Sequence, residues 1–149
     1  MPIQAQYKQP KVLLTPFWLI ATTFIGIADA SYLAYYHLLG ITPGCLLKGC
    51  EVVLQSPYAK VFDVPLSYLG LVFYVYMFLL AVLLAIDPTS RGLRIGLLLY
   101  SVVGVLSSLI FIFLQLFVIH AICQYCMLSA LTTFTLFGLA VWHWRASKA

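Results

Sequence analysis

The chain of 149 residues has room for one domain, and with 64% hydrophobic and only 8% charged residues it holds about a third of the charge of an ordinary soluble domain, ~25%. So little polar surface excludes a water-soluble globule, and the apolar residues fall in long blocks rather than short alternating runs, which reads as helices in lipid. The net charge of +4 sits at helix ends, so it is a topology signal and a contact with anionic lipid rather than a nucleic-acid footprint.

In chain order, residues 1–12 read as a short polar tail on the cytoplasmic side, followed by a first span over residues 17–39. Pro16 is placed in the first helical turn, where a missing N–H is tolerated. Lys8 and Lys11 before an apolar run, with Ala28-Asp29-Ala30 as a small-x-small site, imitate a signal peptide. The apolar pattern continues through Tyr32, Leu33 and Tyr36, beyond the length of a signal core, so an uncleaved helix is expected. Asp29 lies inside this span, and an intramembrane carboxyl is a functional candidate because its charge is costly there. A hydrogen bond to Ser31 or a tyrosine, proton supply and pocket shape are its open roles.

Gly40, Pro43 and Gly44 end the first span, and residues 40–65 form the only sizeable loop. Within it Cys50, Val52, Val53 and Leu54 fit a short amphipathic surface helix stopped by Pro57. A second span covers residues 66–86, and Asp87-Pro88-Thr89-Ser90 reads as a tight turn. The third span runs over residues 95–119 and carries Gln115, read as an interhelical hydrogen-bond donor. The fourth runs over residues 126–144. Each is close to the ~20 residues that cross a bilayer core. Trp18, Tyr35, Tyr36, Trp142 and Trp144 near span ends suit an aromatic belt. The expected fold is therefore all-α: a single-domain integral membrane four-helix bundle with a cysteine-bearing extracytoplasmic loop.

Basic residues set the orientation. Lys8, Lys11, Arg91, Arg94, Arg145 and Lys148 lie on one side, against Lys48 and Lys60 in the first loop, so both termini are expected in the cytoplasm. His37 and His143 close helices, where a partial positive charge suits the dipole, and His120 reads as a wet interfacial residue beside the fourth span.

That orientation puts all four cysteines, Cys45, Cys50, Cys123 and Cys126, at outward-facing ends. Cys123-Gln124-Tyr125-Cys126 opens the fourth span, where exposed amides and the helix dipole stabilise a thiolate, the species that attacks disulfides. Cys45 and Cys50 lie in a loop with Gly44 and Gly49 as hinges. One mobile and one fixed dithiol make a relay. Two stabilising disulfides or a zinc site are the alternatives, and four cysteines allow three pairings among which sequence does not choose. No CxxCH, glycine-rich nucleotide loop or iron–sulfur spacing offers another electron acceptor, whereas a lipid-soluble one needs none of these.

Taken in order, Gly26-Ile27-Ala28-Asp29-Ala30-Ser31-Tyr32-Leu33, Cys45, Gly49-Cys50-Glu51-Val52-Val53-Leu54, Val64-Pro65-Leu66-Ser67-Tyr68-Leu69-Gly70, Gln115 and Cys123-Gln124-Tyr125-Cys126 resemble bacterial or archaeal members of the vitamin K epoxide reductase family. The resemblance spans nearly the whole chain. It implies a bundle around a quinone pocket, capped by the loop. It implies too that the Cys123/Cys126 pair reduces ubiquinone or menaquinone, and that the disulfide so formed passes through Cys45 and Cys50 to a separate extracytoplasmic thioredoxin-like protein. By the same resemblance Cys126 is the thiolate facing the quinone, Cys123 exchanges with the loop, and Ser67 matches a serine at the quinone site. Leu66 stands where vertebrate members have an asparagine, and Ala130 where they have a tyrosine. Both changes remove polar groups, which favours plain quinone reduction over vitamin K epoxide reduction. A thiolate metal-handling membrane protein without enzymatic activity is the remaining alternative.

Overall fold

The computed structural model describes residues 10–148, so Lys8 and most of the expected tail lie outside the described residues. Among the described residues four helices are long and apolar enough to cross a membrane: Pro10–Leu38, Leu66–Ile86, Arg91–Ile119 and Gln124–Ala146. They are α1 (Pro10–Leu38), α3 (Leu66–Ile86), α4 (Arg91–Phe113) with a π-turn over Leu114–Ile119, and α5 (Gln124–Ala146), while the short α2 (Cys50–Gln55) lies in the first loop. Phe17, Trp18, Leu79, Ile86, Leu99, Leu106, Ile110 and Leu131 remain exposed on the outer faces of these helices. In water such a surface would aggregate, and in lipid it is the solvated face. The protein is a multi-pass membrane protein with an all-α bundle.

The second span coincides residue for residue with its expectation, because Pro65 and the Asp87-Pro88 turn punctuate both ends. Asp87 Oδ1 accepts from the Thr89 N–H at 3.2 Å and from its hydroxyl at 2.7 Å, closing that turn. Those two bonds hold the Asp87 carboxyl below its usual value. The third helix begins four residues earlier than its expected span, at Arg91. Arg94 is tolerated there because its guanidinium folds back onto the Thr89 carbonyl at 2.9 Å. Pro16 is not in the first turn: α1 already runs from Pro10 among the described residues, and Pro16 lies buried within the helix.

α1 packs chiefly against α3 and α5, and α4 chiefly against α5. Leu19, Ala30, Tyr74, Met77, Ala81, Leu84, Leu97, Leu136 and Ala140 form the interior. Gly26 admits the Tyr74 ring, which a Cβ at that position would overlap. The Tyr74 hydroxyl then donates to the Ser129 carbonyl at 2.8 Å, joining α1, α3 and α5 in one layer. Between lipid-facing helices such close packing and polar contacts replace the hydrophobic effect as the source of association.

The first loop holds more structure than expected. After α2 and a 3₁₀ turn at Pro57–Ala59, β1 (Lys60–Val61) pairs antiparallel with β2 (Val64–Pro65), with Val61 opposite Val64. The turn residues Phe62 and Asp63 both have positive φ, 50° and 63°. This is the geometry that matches strand twist in two-residue hairpins, built here without glycine.

Candidate redox site at the cysteine end of the bundle

Both cysteine pairs lie at one end of the bundle. Cys45 and Cys50 are joined as a disulfide, and Cys123 and Cys126 are free thiols. Cys50, Val53 and Cys123 form one buried cluster, with Cys45, Leu54, Ile119, Ala121, Tyr125 and Cys126 packed around it. Cys50 and Cys123 are both fully buried, whereas Cys45 is half-exposed and its neighbour Leu46 is 93% exposed.

Local backbone chemistry builds this cluster. α4 does not end as an α-helix but widens into the π-turn, closed by His120 in the left-handed region at φ 55°. The backbone carbonyl of Gln115 accepts from Ala121 N–H at 3.1 Å. Its side-chain Oε1 accepts the buried N–H of Cys123 at 2.9 Å. Gln115 is thus an acceptor for the start of α5 rather than the interhelical donor expected. Its partner is a peptide group that the helix start would otherwise leave unpaired. On the loop side, Gly49 lies directly on the Ile122 backbone, where a Cβ would come to 2.5 Å from the carbonyl oxygen. Sequence inspection names Gly49 as a hinge. The structure packs it against the backbone of the residue just before the CxxC.

Cys123 is the N-cap of α5. A hydrogen bond from the Cys126 thiol, helped by the Cys126 and Tyr125 N–H groups and opposed by burial and the Asp29 carboxyl, pulls the Cys123 thiol down to about 7. The pair therefore holds a nucleophilic sulfur near neutral pH.

Beneath the cluster lies a cavity of about 660 Å³ bordered by Cys126, a size typical of small-molecule sites. Ser67, Asp29, Leu66 and Ala130, the four residues proposed from sequence for ligand contact, all line it, as does Gln115. Asp29 makes no bond to Ser31 or a tyrosine: Oδ2 is buried without a hydrogen-bond partner among the described residues. Residues two apart on a helix point about 200° away from each other, so Ser31 cannot share the interior face. The α4 contribution of Gly104, Ser107, Ser108 and Phe111 went unread. Its signal is the i, i+3, i+4 spacing of Gly104, Ser107 and Ser108 in an otherwise apolar span. His37 lines the same cavity, whereas His143 is buried at the far end of α5 instead of capping it in solvent. Among the described residues no three His, Cys, Asp or Glu side chains group as a metal site.

Fold and site together define a membrane protein with a dithiol and a disulfide packed against each other above an intramembrane cavity. The profile of the Vitamin K epoxide reductase family matches residues 17–141. This chain belongs to that family of membrane oxidoreductases. It is similar to Thiol-disulfide oxidoreductase LTO1 of Arabidopsis thaliana, with 31% identity over 121 residues, covering 76% of this chain and 32% of the relative. The chain thus matches about a third of that relative's length.

Proposed function

We propose that this chain is a quinone-linked thiol–disulfide oxidoreductase that supports disulfide formation, carrying electrons from a thioredoxin-like protein to ubiquinone or menaquinone. The observation that carries the reading is the shared cluster: Cys50 is buried with Cys123, while Cys126 borders the cavity. In this reading the cysteine end faces the extracytoplasmic side and both termini the cytoplasm, as the basic residues indicate.

A thiolate of the partner attacks Cys45, the less buried cysteine of the loop pair, and Cys50 leaves as a thiolate. The partner's second thiol then resolves the mixed disulfide, leaving the partner oxidised and the loop reduced. Cys50 next attacks Cys123 of an oxidised CxxC, releasing Cys126. Cys45 closes on Cys50 and releases Cys123. The outcome is the state in the structure, an oxidised loop and a reduced CxxC. A bound quinone supplies a two-electron, two-proton acceptor. Cys126 presents its sulfur to the cavity, and Cys123, held as thiolate near neutral pH, closes the disulfide on it.

Of the four residues singled out from the sequence, Ser67 and Asp29 bring polar side chains to the cavity, and Leu66 and Ala130 offer only apolar surface. This supports quinone reduction and not epoxide reduction. Purified protein with a reduced thioredoxin-like partner is expected to bleach the quinone absorbance, and Cys126→Ala to abolish the change. Undiminished bleaching by that variant would remove the mechanism, and hydroquinone formed from vitamin K epoxide would restore the epoxide reading.

A further inference from the structure

The two residues between the CxxC cysteines have no part in the electron path, yet both side chains reach the opposite pair. Gln124 Oε1 accepts the Leu46 N–H at 3.1 Å. The Tyr125 hydroxyl donates to the Gly44 carbonyl at 2.6 Å. The two bonded residues flank Cys45, one on each side. The helix that carries Cys126 thus grips the loop on both sides of the half-buried Cys45. Tyr125 is itself held: its ring lies 5.3 Å from that of Tyr32, which lies 4.7 Å from Tyr36. That row aims the hydroxyl at the loop, and the approach of Gly49 to Ile122 seats the other end of the disulfide.

We propose that Gln124 and Tyr125 are positioning residues forming a clasp, which keeps Cys50 seated against Cys123 for internal disulfide transfer and opens when Cys45 is delivered to the partner. The proposal rests on the relay reading and adds a control point to it. Internal transfer is the attack of Cys50 thiolate on Cys123, with Cys126 leaving, then of Cys45 on Cys50, with Cys123 leaving. Two electrons move inward and one disulfide replaces another. Both attacks need the sulfurs held in line, so seating the loop accelerates them. Attack on Cys45 from solvent needs access, which the same seating restricts. A loosened clasp therefore moves the two rates in opposite directions, whereas a merely destabilised fold does not slow one while speeding the other.

The test uses the full chain in lipid nanodiscs with Tyr125→Phe, which keeps the ring on Tyr32, Gln124→Met, the double variant, and Gln124→Glu, which keeps the acceptor. Timed alkylation and mass spectrometry follow two rates. One is reduction of Cys45–Cys50 by dithiothreitol when the CxxC is already reduced. The other is appearance of CxxC thiols after loop reduction when the CxxC starts oxidised. Each lost hydrogen bond is expected to change each rate about five-fold, ~1 kcal/mol at about 1.4 kcal/mol per tenfold, with loop reduction faster and internal transfer slower. The double variant is expected to shift each about 25-fold, and Gln124→Glu to stay at wild-type rates. Any other pattern, including unchanged rates or a joint fall, overturns the clasp. If in the wild type the CxxC disulfide does not pass out to the reduced loop, the relay reading fails instead, while the dithiothreitol rate still reports on the clasp.

Discussion

Replacing Gly49 by alanine tests the seating of the loop most directly. The added Cβ would lie 2.5 Å from the Ile122 carbonyl oxygen, 2.8 Å from its nitrogen and 3.2 Å from its carbonyl carbon. All three obstacles are backbone, so no side chain can turn away. The loop must retreat until 2.5 Å becomes the 3.4 Å at which ordinary contact begins. Overpacking of this kind costs ~1–3 kcal/mol, and a rigid neighbour puts the cost in the upper part of that range. At ~2–3 kcal/mol the docked population, and with it internal disulfide transfer, falls roughly 30- to 150-fold. Single-turnover appearance of CxxC thiols after loop reduction reads this out. Gly44→Ala is the matched control, since its Cβ meets nothing within 4 Å. Equal transfer rates in the two variants would refute the reasoning.

Three further outcomes are expected. Gln115→Leu leaves the buried Cys123 N–H unpaired, at a cost of ~1–3 kcal/mol; the variant should unfold at lower temperature, with Gln115→Glu closer to wild type by calorimetry in detergent. Gly26→Val drives a branched side chain into the Tyr74 ring and should loosen α1 from α3, seen as faster amide exchange along both helices. For Cys123, the folded value of about 7 lies below the unfolded value near 9. Its contribution to the stability of the reduced protein is therefore full above pH 9 and is lost as pH falls through 7. Cys126→Ala removes the hydrogen bond that lowers it, so the gap in melting temperature between wild type and variant should widen from pH 7 to 9. A constant gap would contradict the assigned cause.

The second span was legible to the residue because proline and aspartate mark both its ends. The first and third helices begin earlier than hydropathy suggests, because Pro10 and Arg91 sit in helical turns whose polar residues reach outward or back onto the chain. The cysteine pairs stand out by their spacing and Asp29 as a carboxyl in an apolar span, whereas Ser67, Leu66 and Ala130 enter only through the family resemblance. Gln115 was legible as a polar residue in an apolar span, but its direction was not, since the π-turn leaves no pattern in the sequence. The hairpin was hidden because Phe62 and Asp63 adopt positive φ without the glycine that normally signals such a turn. The bonds of Gln124 and Tyr125 to the loop leave no mark in the sequence because their partners lie 78 and 81 residues away.

The wide turn at Leu114–Ile119 makes chain length itself a property of the site. A π-turn stores one surplus residue in an otherwise regular helix. Deleting one residue between Leu116 and Ile119 would shorten the eight-residue path between Gln115 and the Cys123 N–H that its side chain accepts. The carboxamide that brackets the head of the last helix would then miss its target, even with every sulfur still present. Variants that shorten this segment should be as damaging as loss of a cysteine, although they remove no reactive group.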